Sequence, residues 1–73
     1  MNDKEITQLK IIVHDGYTVF WNPFYTTCYQ VKSIGPHAEE GDDEPCAIFT
    51  NGKYAALYNC SLTDFILARR LGD

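Results

Sequence analysis

The sequence has no long hydrophobic run. Stretches such as residues 11–13 and 65–68 stop at three and four apolar positions, against the roughly 20 that a membrane-spanning helix needs. No basic start leads into an apolar segment, so no secretory signal is expected. Close cysteine pairs are also missing: Cys28, Cys46 and Cys60 are odd in number and far apart. That pattern argues against a disulfide-framed secreted domain and for reduced, mostly buried thiols in a cytosolic protein. The six lysines and arginines form no basic stripe, which disfavours direct nucleic-acid binding, where cations must replace the counterions of the phosphates.

What is present fits one small globular domain over residues 1–73, with 45% hydrophobic and 22% charged residues. A chain this short removes only about 60% of its surface on folding, so its core is small and association is a ready source of added stability. The net charge of −4 is localised: Glu39, Glu40, Asp42, Asp43 and Glu44 carry −5 within six positions, and the remaining acids and bases leave +1.

Two hairpin signals organise the chain. Asp15-Gly16 separates the β-rich runs "LKIIVH" and "YTVFWN", and Asn51-Gly52 is centred in "PCAIFTNGKYAALYN". Both dipeptides suit a two-residue turn with positive φ angles. Between them "YTTCYQVKSI" alternates as a strand, and Pro23, which cannot donate to a ladder, marks a corner before it. Residues 35–45 read as a mobile acidic loop and residues 1–7 as a frayed lead-in. In "CSLTDFILARRLGD" the spacing predicts a C-terminal helix, with Ser61 as N-cap, Asp64 in capping-box position, Cys60 stapled to Phe65, Arg69 and Arg70 in the last turn, and Gly72 as its stop. The expected class is α+β: a strongly curved antiparallel sheet of about five strands with one C-terminal helix.

Residues 17–29 hold six of the ten aromatic residues. If Asp15-Gly16 is a hairpin turn, His14 opposes Tyr17 and Lys10 opposes Trp21, so Lys10, Ile12, His14, Tyr17, Val19 and Trp21 share one face. Leu9, Ile11, Val13, Thr18 and Phe20 then share the other, more uniformly apolar face, which is the expected core. One short helix covers one face only. The face bearing Tyr17, Trp21, Lys10 and His14 becomes the candidate contact surface, since Trp and Tyr dominate binding energies at interfaces; alternatively Tyr17 and Trp21 complete a small barrel-like core. Glu39, Glu40, Asp42, Asp43 and Glu44 form a second candidate, a docking element for a basic surface; alternatively the loop only solubilises the chain.

Catalytic and metal chemistry find little footing. Cys28, His37, Cys46 and Cys60 are the right types for zinc but lack a C-x-x-C pair. No Gly-rich elbow flanks a nucleophile, and the acidic run lacks calcium-loop spacing. The expected function is a cofactor-free, non-enzymatic protein-binding module, with a self-associating structural protein as the alternative and a small enzyme or zinc domain behind both. In size, acidity and aromatic content the chain resembles the small accessory proteins and host-protein inhibitors of phages and prophages. That resemblance, one of general character and not of motif, implies a larger host protein as partner.

Overall fold

The computed structural model describes residues 1–70. It contains helix α1 (Asp3–His14) and strands β1 (Tyr17–Trp21), β2 (Tyr29–His37), β3 (Gly41–Phe49), β4 (Tyr54–Ala56) and β5 (Phe65–Arg70). Short single turns lie at Pro23–Tyr25, Leu57–Asn59 and Leu62–Asp64. The strands form one antiparallel sheet in the order β4-β3-β2-β1-β5. This sheet is open, neither closed nor strongly curled, which corrects the expected curvature. No helix among the described residues is long and apolar enough to cross a membrane.

The helix sits at the opposite end of the chain from the expected one. Within residues 1–7, read as frayed, α1 begins at Asp3, and residues 9–14, read as a strand, complete it. The Asn2 side chain accepts from the Glu5 N–H at 2.8 Å, and Glu5 Oε1 accepts from the Asn2 N–H at 3.1 Å, a reciprocal capping box. Acids in the first turn and His14 in the last agree with the helix dipole. Asp15-Gly16 ends this helix instead of turning a hairpin. The Asp15 N–H reaches the Ile11 carbonyl and the Gly16 N–H the Val13 carbonyl, with Gly16 at φ +98°. A glycine that suits a tight hairpin suits a helix C-terminus equally, because both need a left-handed residue.

The expected C-terminal helix does not form. Ser61 and Asp64 enclose a single turn, closed by the Asp64 N–H on the Ser61 carbonyl. Phe65 to Arg70 then extend as β5 along β1; Gly72 lies outside the described residues. The second hairpin stands, though its loop is longer than two residues. The Phe49 N–H meets the Lys53 carbonyl, and Gly52 takes φ +88° within the intervening residues 50–52.

Ile6 and Leu9 of α1 close over Val19, Val31, Ile34, Ala47, Phe49 and Leu57, forming the buried core. Trp21 stacks on Phe49 with ring centroids 5.2 Å apart, and Tyr17 also packs against this cluster. Tyr17 and Trp21 therefore lie on the helix side, packed against the core as the alternative reading had them and not on an uncovered face. Phe20, expected in the core, pairs with Gln30 and Ile66 on the opposite face, which α1 does not reach. The expected pairings of His14 with Tyr17 and Lys10 with Trp21 vanish with the strand that would have made them.

Removing the capping side chain with Asn2→Ala is expected to cost about 1 kcal/mol, read as a lower denaturation midpoint in urea. An unchanged midpoint would place the first turn of α1 outside the cooperative unit.

Candidate interaction groove

The acidic segment owes its shape to two prolines. Pro36 of β2 stands opposite Pro45 of β3 as the last regular pair of this ladder, and neither has an N–H to contribute to it. The register breaks at this point and His37 pairs with Gly41. Asp42, Asp43 and Glu44 have no partners across the ladder and bulge from β3. A tight turn closes the hairpin, with the Glu40 N–H on the His37 carbonyl at 3.0 Å and Gly41 at φ +92°. Residues 35–45, expected as a mobile loop, are thus the ordered end of a hairpin.

This bulge divides the five carboxylates. Glu39 and Glu40 turn toward β4, where the Tyr54 hydroxyl donates to them at 3.0 and 3.3 Å. The His37 ring stacks on Tyr54 at 3.8 Å, and its Nδ1 accepts from the Glu39 N–H. The hydrogen bond to Glu39, with both carboxylate charges behind it, pushes the Tyr54 phenol up to about 12. Asp42, Asp43 and Glu44 instead line a groove of about 270 Å³ with Ile6 and Lys10 of α1 and Ile34 of β2.

The groove has an apolar floor and charged walls. Ile6 and Ile34 are buried, the three carboxylates form the bulge side, and Lys10 rises from the helix side. Tyr58 also lines it, fixed by its hydroxyl donating to Asp3 at 2.5 Å, a bond that holds the phenol above its usual range. The Met1 ammonium donates to the carbonyls of Leu57 at 3.1 Å and Cys60 at 2.6 Å, so the chain start and the Tyr58 turn brace each other. The volume lies just under the roughly 300–1,000 Å³ of small-molecule pockets and suits a single inserted side chain.

Sequence reasoning named Lys10, Asp42, Asp43 and Glu44 but placed them in two separate sites; the fold brings them to one groove. His14 lies one turn beyond Lys10, exposed at the helix end. Tyr17 and Trp21 contribute to the core beneath and not to the groove. Ile6, Ile34 and Tyr58 were missed. The helical spacing of Ile6 and Lys10 was the available signal for their side of it.

Burial pushes the Cys46 and Cys60 thiols up, which keeps them protonated and poor nucleophiles; each thiol donates to a backbone carbonyl, of Glu44 and Ala56 respectively. Cys28, expected on a strand, is exposed just before β2. Among the described residues no three His, Cys, Asp or Glu side chains converge as a metal site.

One further surface feature stands out at the end of β1. Phe24 and Tyr25 are 87% and 94% exposed, and both adopt left-handed backbone, at φ 55° and 59°. For residues with a Cβ this conformation costs roughly 1–2 kcal/mol each. The turn is held by buried Pro23, whose carbonyl accepts from the Thr26 N–H at 3.2 Å, and by the Asn22 N–H on the Asp64 carbonyl at 2.7 Å. Beneath it the Trp21 Nε1 and Asn22 Oδ1 are buried without hydrogen-bond partners, adding to the local cost.

No protein-family model, curated protein or solved structure matches this chain.

Two outcomes are expected. Because the folded phenol titrates near 12, above the free value of about 10, the Tyr54 contact contributes stability below pH ~10 and loses it as pH rises through its folded pKa. In an absorbance titration, Tyr54→Phe should delete a late-titrating phenol, and Glu39→Gln with Glu40→Gln should return that phenol toward 10. Separately, Tyr25→Asn should stabilise the fold by about 1 kcal/mol, because Asn tolerates left-handed backbone, whereas Tyr25→Ala should leave stability near the parent value. Equal effects from Asn and Ala would show that the turn stores no strain.

Proposed function

We propose that this protein is a non-enzymatic binding module that accepts a basic side chain of a protein partner in the groove between α1 and the acidic bulge. One observation carries the reading: an apolar floor of Ile6 and Ile34 lies against three carboxylates in a space sized for one side chain. Lysine and arginine match that combination, since their stems are apolar and their heads cationic. Arginine matches it better, because its planar fork can bond two carboxylate oxygens at once.

Lys10 gives the site polarity. It repels a second cation from the helix side, so the incoming group is directed to the bulge. The wider field assists, because five carboxylates lie within six residues while the rest of the chain is nearly neutral. A local negative potential speeds encounter with a basic surface and weakens with added salt.

The test uses a fluorescently labelled arginine-rich peptide and anisotropy at low and near-physiological salt. Asp42→Asn with Asp43→Asn should weaken binding about tenfold or more, corresponding to roughly 1.4 kcal/mol. Glu39→Gln with Glu40→Gln removes the same charge from outside the groove and should change affinity only about twofold, while Lys10→Ala should tighten it. Equal losses from the two acidic pairs would reduce the attraction to net charge and overturn the groove.

A further inference from the structure

The two edges of the sheet are finished differently. β4 is three residues long, and Tyr54 at its start is held by the Glu39 and Glu40 carboxylates, while Ala56 leads directly into the turn at Leu57–Asn59. Short edges closed in this way resist further pairing. β5 is six residues long, contains no proline, and has β1 on one side only. Its apolar residues are exposed on both faces: Leu67, opposite Val19 on the helix side, and Ile66, opposite Phe20 on the other, are 53% and 47% accessible. With Leu62 on the preceding turn, and with Phe24 and Tyr25 beside that turn through the Asn22 contact, this end carries five of the seven large exposed hydrophobic side chains among the described residues.

We infer that β5 is a dimerisation edge, pairing antiparallel with β5 of a second copy of this chain to make one ten-stranded sheet. An antiparallel edge is self-complementary under two-fold symmetry, because the same donors and acceptors face each other. The axis must pass through a directly opposed pair, so one residue stands opposite its own copy. Centring on Leu67 sets Ile66 opposite Ala68 and brings the two exposed Leu67 side chains together at the axis. Centring on Ala68 would instead put the small methyl at the axis and leave the Leu67 side chains without an apolar self-contact. The apolar self-contact at Leu67 selects the first register. The interface is a short strand pair plus flanking side chains, below the size of an obligate dimer, so association is concentration-dependent. This inference stands independently of the groove.

Sedimentation equilibrium of the full chain is the test, with Leu67→Lys, Ile66→Lys and Ile11→Lys compared after circular dichroism confirms that each is folded. The parent should dimerise within concentrations up to about 1 mM, and Leu67→Lys, which places two cations at the axis, should weaken the dimer tenfold or more. Ile11→Lys, on the exposed side of α1, should leave it unchanged. In a Cys28→Ser background, Leu67→Cys should form a disulfide-linked dimer on mild oxidation and Ile66→Cys should not, because only position 67 meets its own copy. A parent that stays monomeric overturns the inference. So does loss of the dimer with Ile66→Lys but not Leu67→Lys, the mark of face-to-face packing, or equal loss with Ile11→Lys, the mark of association through the helix.

Discussion

One twelve-residue helix has to seal a sheet five strands wide, and the arrangement of the molecule follows from that shortage. At 1.5 Å per residue α1 is about 18 Å long, roughly four strand spacings. It lies over β1 and β2, where Ile6 and Leu9 meet Val19, Val31 and Ile34. Coverage beyond those strands comes from other sources. On the β3 and β4 side Leu57 is fully buried beneath its turn, and the Met1 ammonium pins that turn to the helix start. On the β5 side no such cover exists among the described residues, and Leu67 is half exposed though it opposes the buried Val19.

The same shortage explains why the aromatic run changed sides. A helix approaching from the N-terminus buries the face of β1 that holds Tyr17, Val19 and Trp21, because Val19 is the residue beneath Ile6 and Leu9. With a hairpin at Asp15-Gly16, the more apolar alternation of Leu9, Ile11, Val13 and Phe20 would have decided the core instead. Asp15-Gly16 gives no local means of choosing, since both outcomes use a left-handed glycine. The deciding information lay farther back, in Asn2 and Glu5 at capping-box spacing and in Ile6, Leu9 and Val13 at helical spacing. The consecutive β-branched residues 11–13 obscured it, although β-branching disfavours a helix only slightly and tertiary burial overrides it.

At the other end of the chain the local signal was real and insufficient. Ser61 and Asp64 do bound a turn, but a second turn would have required polar residues where Phe65, Ile66 and Leu67 follow one another. Those residues serve β1 better as an edge strand, with Phe65 against Trp21. The Asn51-Gly52 hairpin was legible because no competing element shares its flanks. The acidic groove was legible only as residues. Its carboxylates and Lys10 could be named from the sequence, but their meeting depends on the helix that was misread and on two prolines facing each other across a ladder. Neither proline gives that pairing away in isolation.

The groove and the β5 edge are related by geometry even though each rests on separate observations. Two-fold pairing of antiparallel edges uses an axis perpendicular to the sheet, which keeps both helices on one side. Both grooves would then open on the helix-bearing face, each near the β2 and β3 strands of its own copy. Across the strands the grooves would be separated by about six spacings of 4.7–4.9 Å, roughly 30 Å. Ile34 to Pro36 lie farther along β2 than Val31, which is level with Val19 and Leu67, so the two-fold axis adds roughly 20–30 Å along the strands, for a span of about 40 Å. A partner presenting two basic side chains at that distance would engage both sites, the second as an intramolecular event with a high effective concentration. A groove that holds only one side chain is a weak site alone. In the proposed dimer, doubling it at a fixed span would raise affinity for a two-pronged basic partner without a larger pocket.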